Sequence, residues 1–251
     1  MSSTRFEVIG LSGIGEVADG DDIGQLIIDA SEPDGGLRDG DIAVITSKIV
    51  SKAEGRAVEL ATVEPSEFAR EWAEAWNKNA AVVELVLRES RRIVRQVGAH
   101  LITETHHGFI CANAGVDQSN AGAKGRALLL PIDPDASARR IRTKLAAHGV
   151  DVAVIITDTF GRPWRIGQTD IAIGIAGIKP ITSYLGQEDP HGHQFHVQAL
   201  CTVDELAGAG ELVKGNLSRI PVAIVRGFAW ERDDEATIQA VIRPSERDLF
   251  R

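Results

Sequence analysis

Four short runs of apolar, largely β-branched residues carry little polar alternation: Phe6-Glu7-Val8-Ile9, Ile42-Ala43-Val44-Ile45, Val154-Ile155-Ile156-Thr157 and Pro221-Val222-Ala223-Ile224-Val225. Such runs predict strands, with that at Val154 covered on both faces and that at Ile42 repeating its buried pattern. Ala127 to Ile132 predicts a further strand, as does the apolar stretch that follows His106-His107-Gly108. Between these runs the apolar spacing changes to the helical period. Ile23 to Ala30 turns Ile23, Leu26, Ile27 and Ala30 to one side. Ser66 to about Gln96 reads as helical, with Phe68, Trp72 and Ala75 or Trp76 on one stripe and Val82, Leu85 and Val86 on the next, broken near Asn77-Lys78-Asn79. Within it, Arg88-Glu89-Ser90-Arg91-Arg92 reads as a solvated helix face. Asp135 to His148 places Ala138, Ile141 and Leu145 inward, and the helix beginning at Val203 stops at a Gly215 cap with Lys214 in its last turn. Strands that alternate with helices predict a mixed α+β fold, and no repeat or linker divides residues 1–251, so one domain is expected.

Composition narrows the class. With 251 residues and 43% hydrophobic content the chain can bury a sizeable core, as one large domain or two small lobes. A net charge of −9 with no basic arm argues against nucleic acid as a partner. If the ligands are anions, cations must offset the repulsion locally. Cys111 and Cys201 sit in apolar surroundings without Cys-x-x-Cys spacing, which predicts reduced thiols and a cytoplasmic setting. No run approaches the roughly 20 apolar residues of a membrane span, and Met1-Ser2-Ser3-Thr4-Arg5 does not read as a signal peptide.

The candidate chemistry gathers where apolar runs stop. Val154 to Thr157 runs into Asp158, Thr159, Phe160, Gly161, Arg162, Pro163, Trp164 and Arg165, with a second acid at Asp170. Asp158 and Thr159 offer hard oxygens suited to Mg²⁺ or Mn²⁺, and the forked guanidinium groups of Arg162 and Arg165 suit phosphate or carboxylate oxygens. The strand ending at Ile45 delivers Ser47, Lys48 and Lys52; a helical continuation would put both lysines on one face. Gly10-Leu11-Ser12-Gly13-Ile14-Gly15 offers free backbone N–H groups but matches neither standard nucleotide signature. Asp117 and Asn120 are the useful groups of the turn after Gly115. His106-His107 and the alternating His191, His193 and His196 lack the partners a zinc site needs. Taken singly, each of these segments reads as well as a polar turn.

Together they carry a resemblance. Val44 to Arg56, Gly115-Val116-Asp117-Gln118-Ser119-Asn120, Leu129 to Ser137, Ile156 to Gly174 and Asp204 to Gly227 resemble, in order, the coenzyme F420-0:L-glutamate ligase family, the γ-glutamyl ligases. The resemblance implies a two-lobed fold in an intertwined homodimer and a GTP-dependent ligation of L-glutamate to coenzyme F420-0, then of further γ-linked glutamates, through an acyl phosphate. It implies Asp117 and Asp158 on one divalent ion and Thr159 on a second, with Asn216 where some members have a longer oxygen ligand; K⁺ is a further candidate ion. Leu11, Ser12, Gly13, Ile14, Ser47, Lys52 and Asn120 are implied as GTP contacts, with Lys214 and Gly215 near its phosphates. In some bacteria a nitroreductase-like domain follows the ligase; this chain resembles the ligase part alone. Two rival readings stand beside it: a metal-dependent small-molecule kinase, and a non-catalytic nucleotide-binding module.

Overall fold

The computed structural model describes residues 5–119 and 124–248. Its strands are β1 Glu7–Leu11, β2 Ile42–Thr46, β3 Ala57–Glu59, β4 Ser90–Val97, β5 His100–Thr105, β6 Ile110–Ala112, β7 Arg126–Leu128, β8 Ala153–Arg162, β9 Arg165–Ile178, β10 Ile181–Ser183, β11 Ala199–Cys201, β12 Val222–Arg226 and β13 Arg232–Asp233. The helices are α1 Ile23–Ser31, α2 Ser47–Ala53, α3 Glu67–Trp76, α4 Ala80–Arg88, α5 Pro134–Ala147 and α6 Thr202–Lys214. The α+β expectation holds.

The main sheet runs β1-β12-β2-β8-β9-β13, with β2 and β8 parallel and the other neighbours antiparallel. Its middle strands are the uninterrupted apolar runs, and Ile42 to Ile45, Val154 to Ile156 and Val222 to Val225 are buried. They are apolar on both sides because both faces are covered. Gly174 on β9 faces Pro134 of α5, whereas Gly210 of α6 lies against Val44 of β2. Gly174 pairs with Ile156 and Ile156 with Ile45, so the next residue of β2, Val44, points the other way. The two helices therefore pack on opposite faces. A Cβ on Gly174 would come within 2.5 Å of the Pro134 backbone, which cannot swing aside as a side chain can. Gly174→Ala is expected to cost about 3 kcal/mol, the upper part of the overpacking range, read as a lower midpoint in urea.

Residues between β2 and β8 build separate apolar clusters, one around Trp72, Val83, Val86 and Leu101 and another around Val63, Leu85, Ala127 and Leu129. The sheets there are β4-β5-β6 and β3-β7. The expected helix to Gln96 stops at Arg88. The break at Asn77 to Asn79 is as expected: Asn77 takes a left-handed conformation at φ 50° and Asn79 caps α4. Ser90–Val97 is a strand, and the charge run is no helix face: Arg88 pairs with Glu84 in the last turn of α4, while Arg92 crosses to Glu104 on β5. The strand expected over Ala127 to Ile132 is confined to Arg126–Leu128.

Glu84 fixes the start of α3. Its carboxylate accepts from Ser66 Oγ at 2.7 Å, from Ser66 N at 2.9 Å and from Arg88 Nε at 2.8 Å. The Ser66 hydrogen bonds first, then Arg88, outweigh burial and hold Glu84 at about 2, below the usual carboxylate value. A depressed acid contributes stability that is complete above its unfolded pKa and fades as pH falls towards the folded one. Stability is thus expected to decline between about pH 4.5 and 2, and Glu84→Gln to flatten that decline, as measured by urea unfolding at graded pH.

Candidate active site

The site is assembled by the parallel pairing of β2 and β8, which brings their C-terminal ends level, Thr46 beside Thr157. The chain turns into α2 immediately after Thr46, so Ser47 meets Asp158 and its Oγ donates to Asp158 Oδ1 at 2.8 Å. β8 does not stop at Thr157 as expected. It continues to Arg162 and folds back as β9 in a hairpin whose turn holds Trp164 at φ 58°. Alternation along that hairpin sorts the chemistry: Thr157, Thr159 and the cross-strand Asp170 share one face, and Asp158 points to the other.

Two cavities meet over these strand ends. One, about 540 Å³, is lined by Ile14, Glu16, Lys52, Glu211, Lys214 and Gly215 among others. The second, about 600 Å³, is lined by Asp117, Asp158, Gln168 and Cys111 among others. Lys48, Thr159 and Asn216 line both, so the cavities are contiguous along those residues. Lys48 and Lys52 do share a helix face. Lys52 pairs with Glu16, and Lys48 Nζ lies 3.4 Å from Asp117 Oδ2.

The two acids of the second cavity differ in charge behaviour. Burial, reinforced by the negative charge of Asp170, pushes Asp158 up to about 6 against the opposing pull of Ser47 and Lys48. Burial also works against the charged form of Asp117, but hydrogen bonds from Ser119 and the Lys48 charge win and hold it below the usual carboxylate value. Among the described residues, buried Asp117 Oδ2 has no hydrogen bond and only the ion pair with Lys48. Two carboxylates, a hydroxyl and an amide are hard donors that fit Mg²⁺ or Mn²⁺. Among the described residues no three or more His, Cys, Asp or Glu side chains cluster as a metal site, so a cation here would draw on Thr159, Asn216, water and ligand oxygens as well.

Of the predicted contacts, Asp117, Asp158, Thr159, Asn216, Ile14, Lys52, Lys214 and Gly215 line the joined cavities. Leu11 is 1% exposed, its side chain in the core, while Ser12 and Gly13 are exposed beside the site without lining it. Ser47 is buried beneath Asp158. Asn120 lies outside the described residues. Arg162 and Arg165 stand exposed at the hairpin tip, outside both linings. Lys214 turns inward: its Nζ donates to Asp170 Oδ2 and Thr157 Oγ1, both at 2.8 Å, and it is 2% exposed.

The histidines take other roles. His106 Nε2 lies 2.8 Å from the Arg88 carbonyl oxygen and His107 Nε2 2.9 Å from that of Pro131. His191 and His193 belong to an exposed loop in which Asp189 accepts both of their backbone N–H groups. Burial, with the Asp158 charge, raises the Cys111 thiol to about 12, which disfavours the thiolate. Sequence reasoning missed Glu211 and the role of Asp170; a lone acid inside an apolar stretch was the available signal.

A mixed α/β chain whose strand ends bring carboxylates, a hydroxyl, an amide and lysines to one double cavity has the layout of an enzyme acting on anionic substrates. Comparison with known proteins makes this specific. Residues 13–227 match the family described as F420-0:Gamma-glutamyl ligase. The Coenzyme F420:L-glutamate ligase of Methanothermobacter thermautotrophicus is 43% identical over 250 residues, 98% of this chain and 99% of that protein. Proteins of the same name from Methanopyrus kandleri and Archaeoglobus fulgidus are 42% and 37% identical, covering 94% and 98% of this chain and 94% and 97% of their own lengths. The chain belongs to the F420-0:gamma-glutamyl ligase family.

Proposed function

We propose that this chain joins L-glutamate to coenzyme F420-0 and then adds further glutamates through γ-links, using GTP and two divalent ions, Mg²⁺ or Mn²⁺, with K⁺ as an additional ion. The observation that carries the reading is the pair of contiguous cavities joined at Lys48, Thr159 and Asn216. A nucleotide in one and an acceptor carboxylate in the other would meet at that junction. A carboxylate does not condense with an amine at neutral pH, so it must first be activated. The acceptor carboxylate oxygen attacks the γ-phosphorus of GTP, the bond to the β,γ-bridging oxygen breaks, and GDP leaves. The glutamate amine then attacks the acyl carbon of the mixed anhydride, releasing phosphate and a proton.

The residues suit positioning and charge balance, which dominate phosphoryl transfer. Lys48 and Lys52 would face the phosphate oxygens, Asp117 and Asp158 would hold one divalent ion, and Thr159 with Asn216 would offer oxygen donors to the second. Bound there, the ions would supply charge neutralisation for the transferring phosphoryl group. Arg162 and Arg165 on the projecting hairpin are assigned to the phosphodiester of F420-0, where a bidentate fork suits a phosphate. The separate apolar clusters support the two-lobed reading, and exposed Trp164, Ile166 and Leu217 provide apolar surface for a homodimer.

The test is mass spectrometry of protein, Mn²⁺, GTP, F420-0 and glutamate. The expected product is heavier by glutamyl units, with one GDP released per bond and ATP a poor substitute, because a site that hydrogen-bonds guanine leaves groups unpaired against adenine. F420-0 left unchanged would sink the ligase reading. A phosphorylated product formed without glutamate would favour the kinase.

A further inference from the structure

Thr159 is one of the residues lining both cavities, and what it presents there depends on the direction of its hydroxyl proton. That direction is fixed from below. Thr159 Oγ1 donates to Asp170 Oδ1 at 2.7 Å, from the directly opposite cross-strand position. The other carboxylate oxygen is engaged separately: Asp170 Oδ2 accepts from Thr157 Oγ1 and from Lys214 Nζ, each at 2.8 Å. Asp170 and Lys214 are 3% and 2% exposed, so water is not available to replace these partners. Burial opposes the charge on Asp170, but Lys214 and the two threonine hydroxyls hold it below the usual carboxylate value.

We propose that Asp170 is a positioning residue, one that turns the Thr159 hydroxyl proton inward so that its lone pairs face the cavities as a cation donor. Buried Lys214 balances its charge and keeps Oδ2 occupied. The inference rests on the metal-assisted reading above, but its test requires no turnover.

In Asp170→Asn the amide oxygen must face the donors Lys214 and Thr157, which leaves the amide nitrogen facing Thr159. That nitrogen donates to Oγ1 and turns the hydroxyl proton into the cavity, where a cation is repelled. The probe is Mn²⁺ alone, titrated and followed by the electron paramagnetic resonance signal of the free ion. Asp170→Asn is expected to bind Mn²⁺ about tenfold or more weakly, the usual range for a lost partner of a metal ligand. Added to Thr159→Val it should cost nothing further, because no hydroxyl remains to be turned. Asp170→Ala combined with Lys214→Met removes this ion pair, leaving Glu211 as the nearby acid, and frees the Thr159 proton to turn either way; it should still lose more than threefold, with no further loss on Thr159→Val. It also serves if Asp170→Asn alone does not fold. Binding within threefold of the unsubstituted protein in the folded variants would overturn the proposal. So would an equal loss with and without the Thr159 hydroxyl, which would mark a charge or packing effect. Protein that takes up no Mn²⁺ overturns it as well. Failure of glutamate ligation with these Mn²⁺ differences intact would count against the ligase reading alone.

Discussion

Asp158→Asn is expected to lower kcat for glutamate ligation by about a hundredfold, roughly 3 kcal/mol of transition-state stabilisation, with the fold preserved. The amide keeps an oxygen where Ser47 Oγ now donates, so the contact between the ends of β2 and β8 survives. What is lost is the negative charge that Lys48 faces, and with it one of the two carboxylates available to a cation. Steady-state turnover with GTP and Mn²⁺, alongside a urea midpoint, separates the two. A turnover within about threefold of the unsubstituted enzyme would remove Asp158 from the reaction.

Lys214→Met is expected to have the largest effect on stability, a loss of about 3–5 kcal/mol, because it strands Asp170 as a buried charge without its counter-ion. Thr157 and Thr159 still donate to the carboxylate but carry no charge. Combining Lys214→Met with Asp170→Asn removes the stranded Asp170 charge, leaving only the partly exposed Glu211 that also faces Lys214, and should recover most of the loss, since replacing a buried ion pair by neutral side chains is often tolerated. Urea unfolding of both proteins checks this. A loss below about 1 kcal/mol in Lys214→Met would mean that the pair is far better solvated than its burial indicates.

The middle of the main sheet was legible because strands covered on both faces must be apolar throughout, and Ile42 to Ile45 and Val222 to Val225 are. Ile23–Ser31 was legible from its one apolar face, and the end of Thr202–Lys214 from the glycine that follows it. Where the sequence misled, a local signal had a second solution. Glu89 to Gln96 carries enough polar residues to extend a helix, and becomes a strand because β5 offers a partner with Glu104 opposite Arg92. Asp158 to Arg162 looked like a turn because it is polar, yet β9 pairs with it residue by residue. Within the site, Asp117, Asp158, Thr159 and Lys52 were readable as residue types at the ends of apolar runs. Whether Lys214 faces a ligand or a buried acid depends on which way the last turn of α6 rotates over β9, and spacing alone does not carry that.

The position of β12 has a consequence for how the chain is made. It lies between β1 and β2, so a strand supplied by residues 222–226 separates two supplied by residues 7–11 and 42–46. Until a ribosome has delivered Val222, β1 and β2 have no neighbour on their facing edges, and the hydrophobic runs that later form the middle of the sheet stay open to pairing with other chains. Contacts across such long sequence separations form slowly. The middle of the sheet therefore closes only with the arrival of one five-residue strand, which places the aggregation-exposed interval of folding before Val222–Arg226 docks.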